Sequence, residues 1–500
     1  MLDHILLGFS AFGDPMIWAA LVFGALMGYL IGAIPGLGPS LGVALLIPFT
    51  YGLDPVVSIV GLVALYAAAE YGGAISGVLI NSPGTAAAVA TAWDGYPLTK
   101  QGRASEALGV SILASGVGIF LSTAFLIATA VPLSEFALRF GPTEYFALAL
   151  VGLSLVAGLS EGSPMKGAVA MGIGLALATI GLDVQTGVPR FTGGEPEFFE
   201  GLPLVPVLLG LYALSEVLIM IEDGPADKVR NTLLTGGMAA PFRLVGKLKV
   251  VILRSTVIGY FVGVIPGAGA SIASFISYAV SKRFSKTPEL FGKGAIEGVA
   301  SSESANNSAV SGALAPLLAL GIPGSATTAV LIGALNIHGI QPGPLLFTRN
   351  PEIPYTIFAS LWIGVPVMVL IGLLGIRLWA QVANIPRPAI AAIVAGICFV
   401  GAYASENSMF PVWVMLACGI MGYVLRKMRF PLAPVILAMV LGEMMETNFR
   451  RALITARGDW TVFFTSPLTV VLLVVAALAF LLPGIAILRS LSRRVRRAQT

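Results

Sequence analysis

Long apolar runs, separated by short polar or basic stretches, dominate this 500-residue chain. The first such run extends from Met16 to Ile34, and further runs of helical length recur to the C-terminus. Because about 20 consecutive apolar residues cross the hydrocarbon core of a bilayer as a helix, the pattern predicts an all-α polytopic membrane protein with about 11–12 membrane-crossing segments.

Two of the apolar runs are interrupted by a proline and a glycine. These residues stop the helical hydrogen-bond ladder, and at membrane depth the freed backbone groups need protein, water or a bound solute as partner. Residues 55–93 and 294–337 are therefore predicted to form two broken transmembrane helices. The residues at the breaks are Asn81, Ser82, Pro83, Gly84 and Thr85, and Pro323, Gly324, Ser325 and Thr327.

A shorter apolar hairpin precedes each broken helix. Residues 28–40 and 259–271 match at most positions, with an offset of 266 − 35 = 231 residues. The apolar run around the first hairpin has about 34 residues, fewer than the roughly 40 that two crossings need. Both hairpins are therefore predicted to be re-entrant, with tips at Pro35, Gly36 and Gly38 and at Pro266, Gly267 and Gly269.

The positions of basic residues predict an inverted repeat. Lys and Arg mark cytoplasmic loops, and this rule leaves five crossings between the two hairpins. An odd number inverts the second copy, an arrangement typical of secondary transporters with a site at the midplane. The predicted parts are an N-terminal repeat at 1–221, a cytoplasmic loop at 222–249 and a C-terminal repeat at 250–500 with a cytoplasmic C-terminus. Arg450, Arg451 and Arg457 disagree with this topology, because they would be external.

Composition excludes a soluble globular protein. Only 11% of residues are charged and the mean hydropathy is +0.91, whereas about a quarter of the residues in soluble domains are charged. The basic residues lie in short clusters between apolar runs, so they do not indicate nucleic-acid binding. Cys398 and Cys418 lie in apolar runs and are predicted to be buried thiols. The chain carries no ATPase or zinc motif, which argues against an enzyme and favours transport driven by an ion gradient.

The helix restarts are candidate substrate sites. The first N–H groups of a helix are unpaired and its dipole is positive there, so a restart attracts anions. Thr85 and Ser325 stand at the two restarts, where each either caps its helix or donates its hydroxyl to a carboxylate. The predicted substrate-binding residues are the nine break residues named above. The alternative is that both breaks are packing kinks.

Oxygen-rich groups near the breaks form candidate ion shells. Backbone carbonyls at the two hairpin tips, with Asn306 and Asn307, suit a sodium ion, and no organic cofactor is expected. Glu303 precedes these amides by one helical turn, and either binds a cation or proton or caps local backbone. The predicted ion-binding residues are Pro35, Gly36, Gly38, Pro266, Gly267, Gly269, Glu303, Asn306 and Asn307.

Two other acidic residues lie beside the breaks. Glu70 is intramembrane by pattern, and intramembrane carboxylates are functional candidates by default. Asp94 precedes Gly95-Tyr96-Pro97 and a basic loop. It is interpreted as a turn residue at the membrane surface, with a functional role as the alternative.

Four long stretches resemble one known family. The chain is similar over nearly its whole length to the large membrane subunit of the bacterial tripartite tricarboxylate transporters. One departure is Trp93, where many members have Leu before the Asp-Gly-Tyr-Pro motif. The stretches are GYLIGAIPGLGPSLGVALLIPFTYGLDP (28–55), EYGGAISGVLINSPGTAAAVATAWDGYPLTKQGRASEALG (70–109), GYFVGVIPGAGASIASFISY (259–278) and residues 292–338.

The resemblance implies a multi-pass permease of the bacterial cytoplasmic membrane. Such a permease works with a small membrane subunit and a periplasmic solute-binding protein. It imports a carboxylate such as citrate with a sodium or, as second choice, a proton gradient, by an elevator-type motion. The alternatives are an exporter, a carboxylate carrier without a binding protein, a passive channel and a membrane scaffold.

Overall fold

A computed structural model of the chain describes residues 2–159, 163–183, 185–223, 239–382 and 385–481. These residues are almost entirely helical, apart from a short strand pair, β1 (Gly181–Leu182) and β2 (Pro189–Arg190). The helices are α1 (Leu2–Ser10), α2 (Pro15–Ala33), α3 (Gly38–Leu46), α4 (Pro55–Ile80), α5 (Ala88–Lys100), α6 (Ala104–Ala137), α7 (Pro142–Leu159), α8 (Pro164–Ala178), α9 (Leu204–Leu208), α10 (Ser215–Asp223), α11 (Ala239–Lys247), α12 (Lys249–Val264), α13 (Gly269–Phe284), α14 (Ile296–Leu320), α15 (Ala326–Ile337), α16 (Leu346–Arg349), α17 (Glu352–Val382), α18 (Arg387–Glu406), α19 (Phe410–Lys427), α20 (Ala433–Thr455) and α21 (Pro467–Leu481).

Eight of the described helical segments are long and apolar enough to cross a membrane. This confirms an all-α polytopic membrane protein. The number of crossings, the inverted orientation and the re-entrant hairpins stay predictions. The eight segments are Pro15–Ala33, Pro55–Ile80, Ala104–Ala137, Pro142–Leu159, Leu204–Glu222, Glu352–Trp379, Arg387–Glu406 and Phe410–Lys427.

The chain packs as two compact units. The first comprises Met1–Ser134, Val205–Ile265 and Gly269–Tyr423, and the second comprises Glu135–Leu204, Pro266–Ala268 and Val424–Thr500. Both broken helices belong to the first unit, so the candidate site is described there. The predicted repeats at 1–221 and 250–500 stay a prediction, and most of the predicted loop at 222–249 lies outside the described residues.

Close backbone packing holds each hairpin to its broken helix in the first unit. α2 packs along α4, and α12 packs along α14. A Cβ atom built on Gly32 would lie 2.3 Å from the carbonyl oxygen of Ala69, and one on Gly259 would lie 2.3 Å from that of Ala305. Small residues let transmembrane helices approach this closely, which replaces the hydrophobic drive that lipid does not supply.

A charged cluster marks the second unit. Arg190 on β2 donates to Glu446 at 2.6 Å, and Arg450 contacts Asp183 at 2.7 Å. Hydrogen bonds from Thr186 and Gln185, together with the Arg450 charge, lower the pKa of Asp183 to about 2. Arg450 is therefore paired with the loop before β2, and the side of the membrane on which it lies stays a prediction.

Helix α6 contains a proline in its interior. The helix continues through Pro132 to Ala137, and the chain turns before Pro142. Proline within a transmembrane helix removes one hydrogen bond without ending an apolar segment, because neighbouring groups satisfy the freed carbonyl. Both cysteines are buried and free, as predicted.

Candidate functional site

The two hairpin tips have the same backbone conformation. Gly36 and Gly38 have φ values of 94° and 62°, and Gly267 and Gly269 have values of 82° and 58°. Such left-handed conformations favour glycine, which has no Cβ to clash. The turn itself therefore accounts for these glycines, and their predicted role as ion ligands stays a prediction.

The first break is tightly packed against its own hairpin. α4 ends at Asn81, whose φ of 55° is left-handed and whose N–H donates to Gly77. The N–H of Gly84 donates to the carbonyl of Gly73 at 3.0 Å. A Cβ atom on Gly84 would lie 1.8 Å from the carbonyl oxygen of Gly32, so only glycine fits. The side chain of Asn81 is exposed, Ser82 and Pro83 are half-buried, and Gly84 and Thr85 are buried.

The second break has the same backbone conformation and packing as the first. α14 ends at Gly321, which has a φ of 72° and donates to Leu317. A Cβ atom on Gly324 would lie 2.9 Å from the carbonyl oxygen of Gly263 in its own hairpin. Gly84 and Gly324 are therefore equivalent. Equivalent residues of the two broken helices differ in number by 324 − 84 = 240, which is called the structural offset below. Pro323, Gly324 and Thr327 are buried, and Ser325 is half-buried.

Packing fixes which residues of the two broken helices are equivalent. The glycine of α4 that packs like Gly312 of α14 is Gly72. A Cβ on Gly312 would lie 3.0 Å from the Cα of Gly263, and one on Gly72 would lie 3.0 Å from the Cα of Gly32. This contact gives the same difference in residue number as the breaks, 312 − 72 = 240.

Thr85 and Ser325 both form hydrogen bonds where the helices restart. Thr85 Oγ1 accepts from the N–H of Ala88, the first residue of α5, at 3.3 Å. Ser325 caps α15: its Oγ accepts from the N–H of Thr328 at 3.2 Å, while Thr328 Oγ1 accepts from the N–H of Ser325 at 2.8 Å. The structure thus shows capping by Ser325, and contact of either hydroxyl with a carboxylate stays a prediction. Ser325 also lies 3.3 Å from the hydroxyl of Tyr66.

Glu303 lies at the centre of a buried polar cluster. Its Oε1 accepts from Thr91 at 2.5 Å and its Oε2 from Ser115 at 3.0 Å. Asn307 Nδ2 donates to Ser115 Oγ at 2.7 Å. Glu303 is fully buried, and its hydrogen-bond partners among the described residues are uncharged. A buried carboxylate without a cationic partner favours binding a proton or a cation.

Several buried polar atoms have no protein partner. Both amide atoms of Asn306, Oδ1 of Asn307, Oε2 of Glu70 and Oγ of Ser76 make no hydrogen bond to any described residue. Asn306 and Asn307 have no exposed surface. Leaving such atoms unpaired costs about 1–3 kcal/mol each, so they mark places for a ligand, an ion or water.

A cation in this region would depend on neutral oxygen atoms. No group of three or more His, Cys, Asp or Glu within the described ranges is arranged to hold a metal ion. Sodium accepts carbonyl, amide and hydroxyl oxygens, and Asn307, Ser115 and Thr91 supply such groups beside Glu303. The structure thus brings together three of the predicted ion-binding residues, Glu303, Asn306 and Asn307, on one helix.

Asp94 was wrongly interpreted as a surface turn residue. It lies within α5 and is fully buried. Its Oδ1 accepts from the N–H groups of Gly292, Gly294 and Ala295 at 2.8–2.9 Å, and its Oδ2 accepts from Tyr278 at 2.8 Å. Three of these donors tie α5 to the turn before α14, and the fourth, Tyr278, ties it to α13. The sequence showed an acidic residue next to a glycine. It did not show the hydrogen-bond donors of this residue, because they lie about 200 residues away along the chain.

Comparison with known proteins identifies the family. The sequence model described as the tripartite tricarboxylate transporter TctA family matches residues 18–437. The chain belongs to this family. An uncharacterised 52.8 kDa protein from the TAR-I ttuC' 3' region of Agrobacterium vitis is 36% identical over 482 residues, which are 95% of this chain and 94% of that relative.

A second relative covers less of this TctA-family chain. The uncharacterised protein in the TAR-II ttuC' 3' region of Agrobacterium vitis is 43% identical over 230 residues, which are 45% of this chain and 95% of that relative. No solved structure matches the chain. Membership makes the chain a membrane component of a tripartite tricarboxylate transporter, and the family is not one of enzymes.

Proposed function

We propose that the protein is the large permease subunit of a binding-protein-dependent secondary transporter that imports an organic carboxylate such as citrate. The coupling ion is sodium, with protons as second choice. The observation that carries the proposal is the buried cluster around Glu303, one helical turn from the unpartnered amide of Asn306.

The position of Glu303 supplies a reason for coupling. An ionised Glu303 would repel a carboxylate substrate bound at a nearby helix restart, by about 2 kcal/mol for charges about 8 Å apart at an effective dielectric constant of 20. A sodium ion or proton at Glu303 removes this repulsion. Substrate and cation then bind together more tightly than either binds alone, as a symporter requires.

Membership of the family supports the proposed partners and membrane, and the clusters of basic residues support the proposed side of the C-terminus. A small membrane subunit completes the membrane part, and a periplasmic solute-binding protein delivers the carboxylate. The protein lies in the bacterial cytoplasmic membrane with its C-terminus on the cytoplasmic side. In an elevator-type motion, the hairpins and broken helices carry the substrate; their close glycine contacts support movement as a single body.

Uptake of labelled citrate tests the proposal. Vesicles would contain this chain and its small-subunit partner, with or without binding protein, under an inward sodium gradient. Accumulation that requires both sodium and binding protein is expected. Accumulation of no carboxylate under any ion gradient would contradict symport, and flux that only equilibrates citrate would indicate a channel.

Replacing one buried carboxyl group tests the coupling site. We expect Glu303→Gln to reduce sodium-driven accumulation at least about tenfold, because the amide keeps the shape but cannot hold a cation by charge. Glu297→Gln, on the first turn of the same helix, is the matched control and should keep uptake within about twofold. Equal uptake by the two variants would remove Glu303 from the mechanism.

A further inference from the structure

Contacts between α5 and α14 define their register. A Cβ atom built on Gly298 of α14 would lie 2.1 Å from Asp94 Oδ2, and one turn earlier on α5 Thr91 lies 2.8 Å from Ser302 Oγ. The two helices therefore run antiparallel, and each turn back along α5 matches a turn forward along α14. One further turn places Asn306 opposite Ala87, at the start of α5.

Helix α13 supports the same register independently. Ser274 Oγ donates to the carbonyl oxygen of Ala87 at 2.8 Å. The preceding residue, Ala273, packs in one apolar cluster with Ala305. Ala305 and Ala87 are therefore at the same level, which places Asn306, the next residue of α14, at the level of the N-terminal end of α5.

At the second break, a tyrosine side chain occupies the position equivalent to that of Asn306. There the hydroxyl of Tyr66 lies 3.3 Å from Ser325 Oγ, at the start of α15. With the structural offset of 240 residues, Tyr66 corresponds to Asn306 and Ser325 corresponds to Thr85. Asparagine is shorter than tyrosine, and both of its amide atoms are unpartnered among the described residues.

Backbone N–H groups directly before α5 are available as hydrogen-bond donors near Asn306. The N–H groups of Ala88 and Val89 donate to Thr85 and Ala86, but hydrogen bonds of the described residues use neither the N–H of Ala86 nor that of Ala87. Unpaired N–H groups at a helix start, beside a fully buried amide that is also unpaired, form a site for an anion.

We propose that a carboxylate group of the substrate binds between the Asn306 amide and the backbone of Ala86 and Ala87, directly before α5. The second break, covered by Tyr66, does not bind it. The Asn306 Nδ2 group donates to one carboxylate oxygen, and the N–H groups of Ala86 and Ala87 donate to the carboxylate. This assigns Asn306 to the substrate and not to the ion shell, and it rests on the proposed function.

Binding of citrate to the purified full-length protein in lipid nanodiscs tests the assignment. Calorimetric titration at saturating sodium would compare the wild type with three variants. Asn306→Leu should weaken citrate binding roughly tenfold to 100-fold, the loss expected for a hydrogen bond to a charged group. Asn306→Asp should weaken it further by repulsion. Tyr66→Phe is the matched control at the second break and should stay within about twofold.

Hydrogen exchange of the wild-type protein gives a measurement that needs no variant to fold. Citrate should slow exchange in a peptide covering residues 81–92 and leave one covering 321–332 unchanged. Equal slowing of both peptides, or of the second alone, would overturn the assignment of the substrate to the first break.

Other outcomes separate this assignment from the proposed function. Folded Asn306 variants that bind citrate like the wild type would overturn the assignment alone. The same holds if Asn306→Leu changes only the sodium concentration needed for half-saturation, because Asn306 would then be an ion ligand. A wild type that binds no citrate, succinate or acetate would overturn the carboxylate function together with the assignment.

Discussion

The backbones of the first and second broken helices have equivalent conformations, but the side chains around the two breaks differ. Both end in a left-handed residue, Asn81 or Gly321, and both pack a glycine against their own hairpin. At the position of Glu303, by contrast, the first repeat has Val63, which is fully buried. At the position of Asn306 it has Tyr66.

This difference shows how a duplicated scaffold can carry one site. The backbone conformation is determined by close packing that is the same in both copies, so both copies have it. Charge and hydrogen bonding depend on single side chains, and these differ between the copies. Among the described residues, the hydrogen-bonded carboxylate of Glu303 and the unpaired amide of Asn306 belong to the second copy, and Val63 and Tyr66 stand at the equivalent positions of the first.

The largest expected effect comes from filling the contact between a break and its hairpin. Gly84→Ala would place Cβ 1.8 Å from the carbonyl oxygen of Gly32, whereas the nearest atom to Gly324→Ala is 2.7 Å away. We expect Gly84→Ala to destabilise the fold by more than about 3 kcal/mol and Gly324→Ala by less.

Yield of monodisperse protein and its Tm in detergent would measure both glycine variants. Gly172→Ala in α8 is the control, because a Cβ atom there meets nothing within 4 Å. Gly84→Ala protein as stable as this control would show that the break can move away from its hairpin.

The next effect comes from Asp94, which has no acidic counterpart in the second repeat, where Ala334 stands at the equivalent position. Asp94→Asn would present an amide to four donors that now meet a carboxylate. Because hydrogen bonds to a charged group are worth about 1.5–3 kcal/mol each, and are not additive, we expect a total loss of about 3 kcal/mol. Thermal unfolding measures it, with Glu289→Gln, a change at an exposed acidic residue, as control. A shift no larger than in the control would contradict the structural role of Asp94.

A smaller effect separates capping from substrate contact at Asn81. Asn81→Ala should lower stability by about 1–2 kcal/mol, because alanine is strained at a φ of 55°. Asn81→Gly should keep both stability and citrate uptake, since the second repeat already uses Gly321 there. Loss of uptake by a stable Asn81→Gly protein would instead make this side chain a substrate contact.

The smallest effect compares the hydroxyl groups of Ser325 and Thr85 at the two helix restarts. Ser325→Ala should cost about 1 kcal/mol, because it breaks a reciprocal capping box. Thr85→Ala should cost less, because Thr85 makes a single longer contact of 3.3 Å. Differences in Tm test this order, with Ser325→Thr as a variant that keeps the cap. The reverse order would mean that the Thr85 hydroxyl has stabilising contacts besides the N–H of Ala88.

Local physical chemistry determined most of the architecture from the sequence. Apolar runs of helical length predicted the membrane helices, since only a helix satisfies its own backbone in lipid. Pro83-Gly84 and Pro323-Gly324 predicted the two breaks, because proline and glycine act on the residues around them. The Pro-Gly tips likewise predicted turns that the positive φ values explain.

Tertiary structure alone decided the partners across the fold. Asp94 meets donors near residue 294, and Tyr66 meets Ser325 from 259 positions away. Such pairs leave no periodic signal, because helix packing brings them together. For the same reason the sequence named Asn306 as a candidate without showing which group it faces. The register of α5 against α14 supplies that answer.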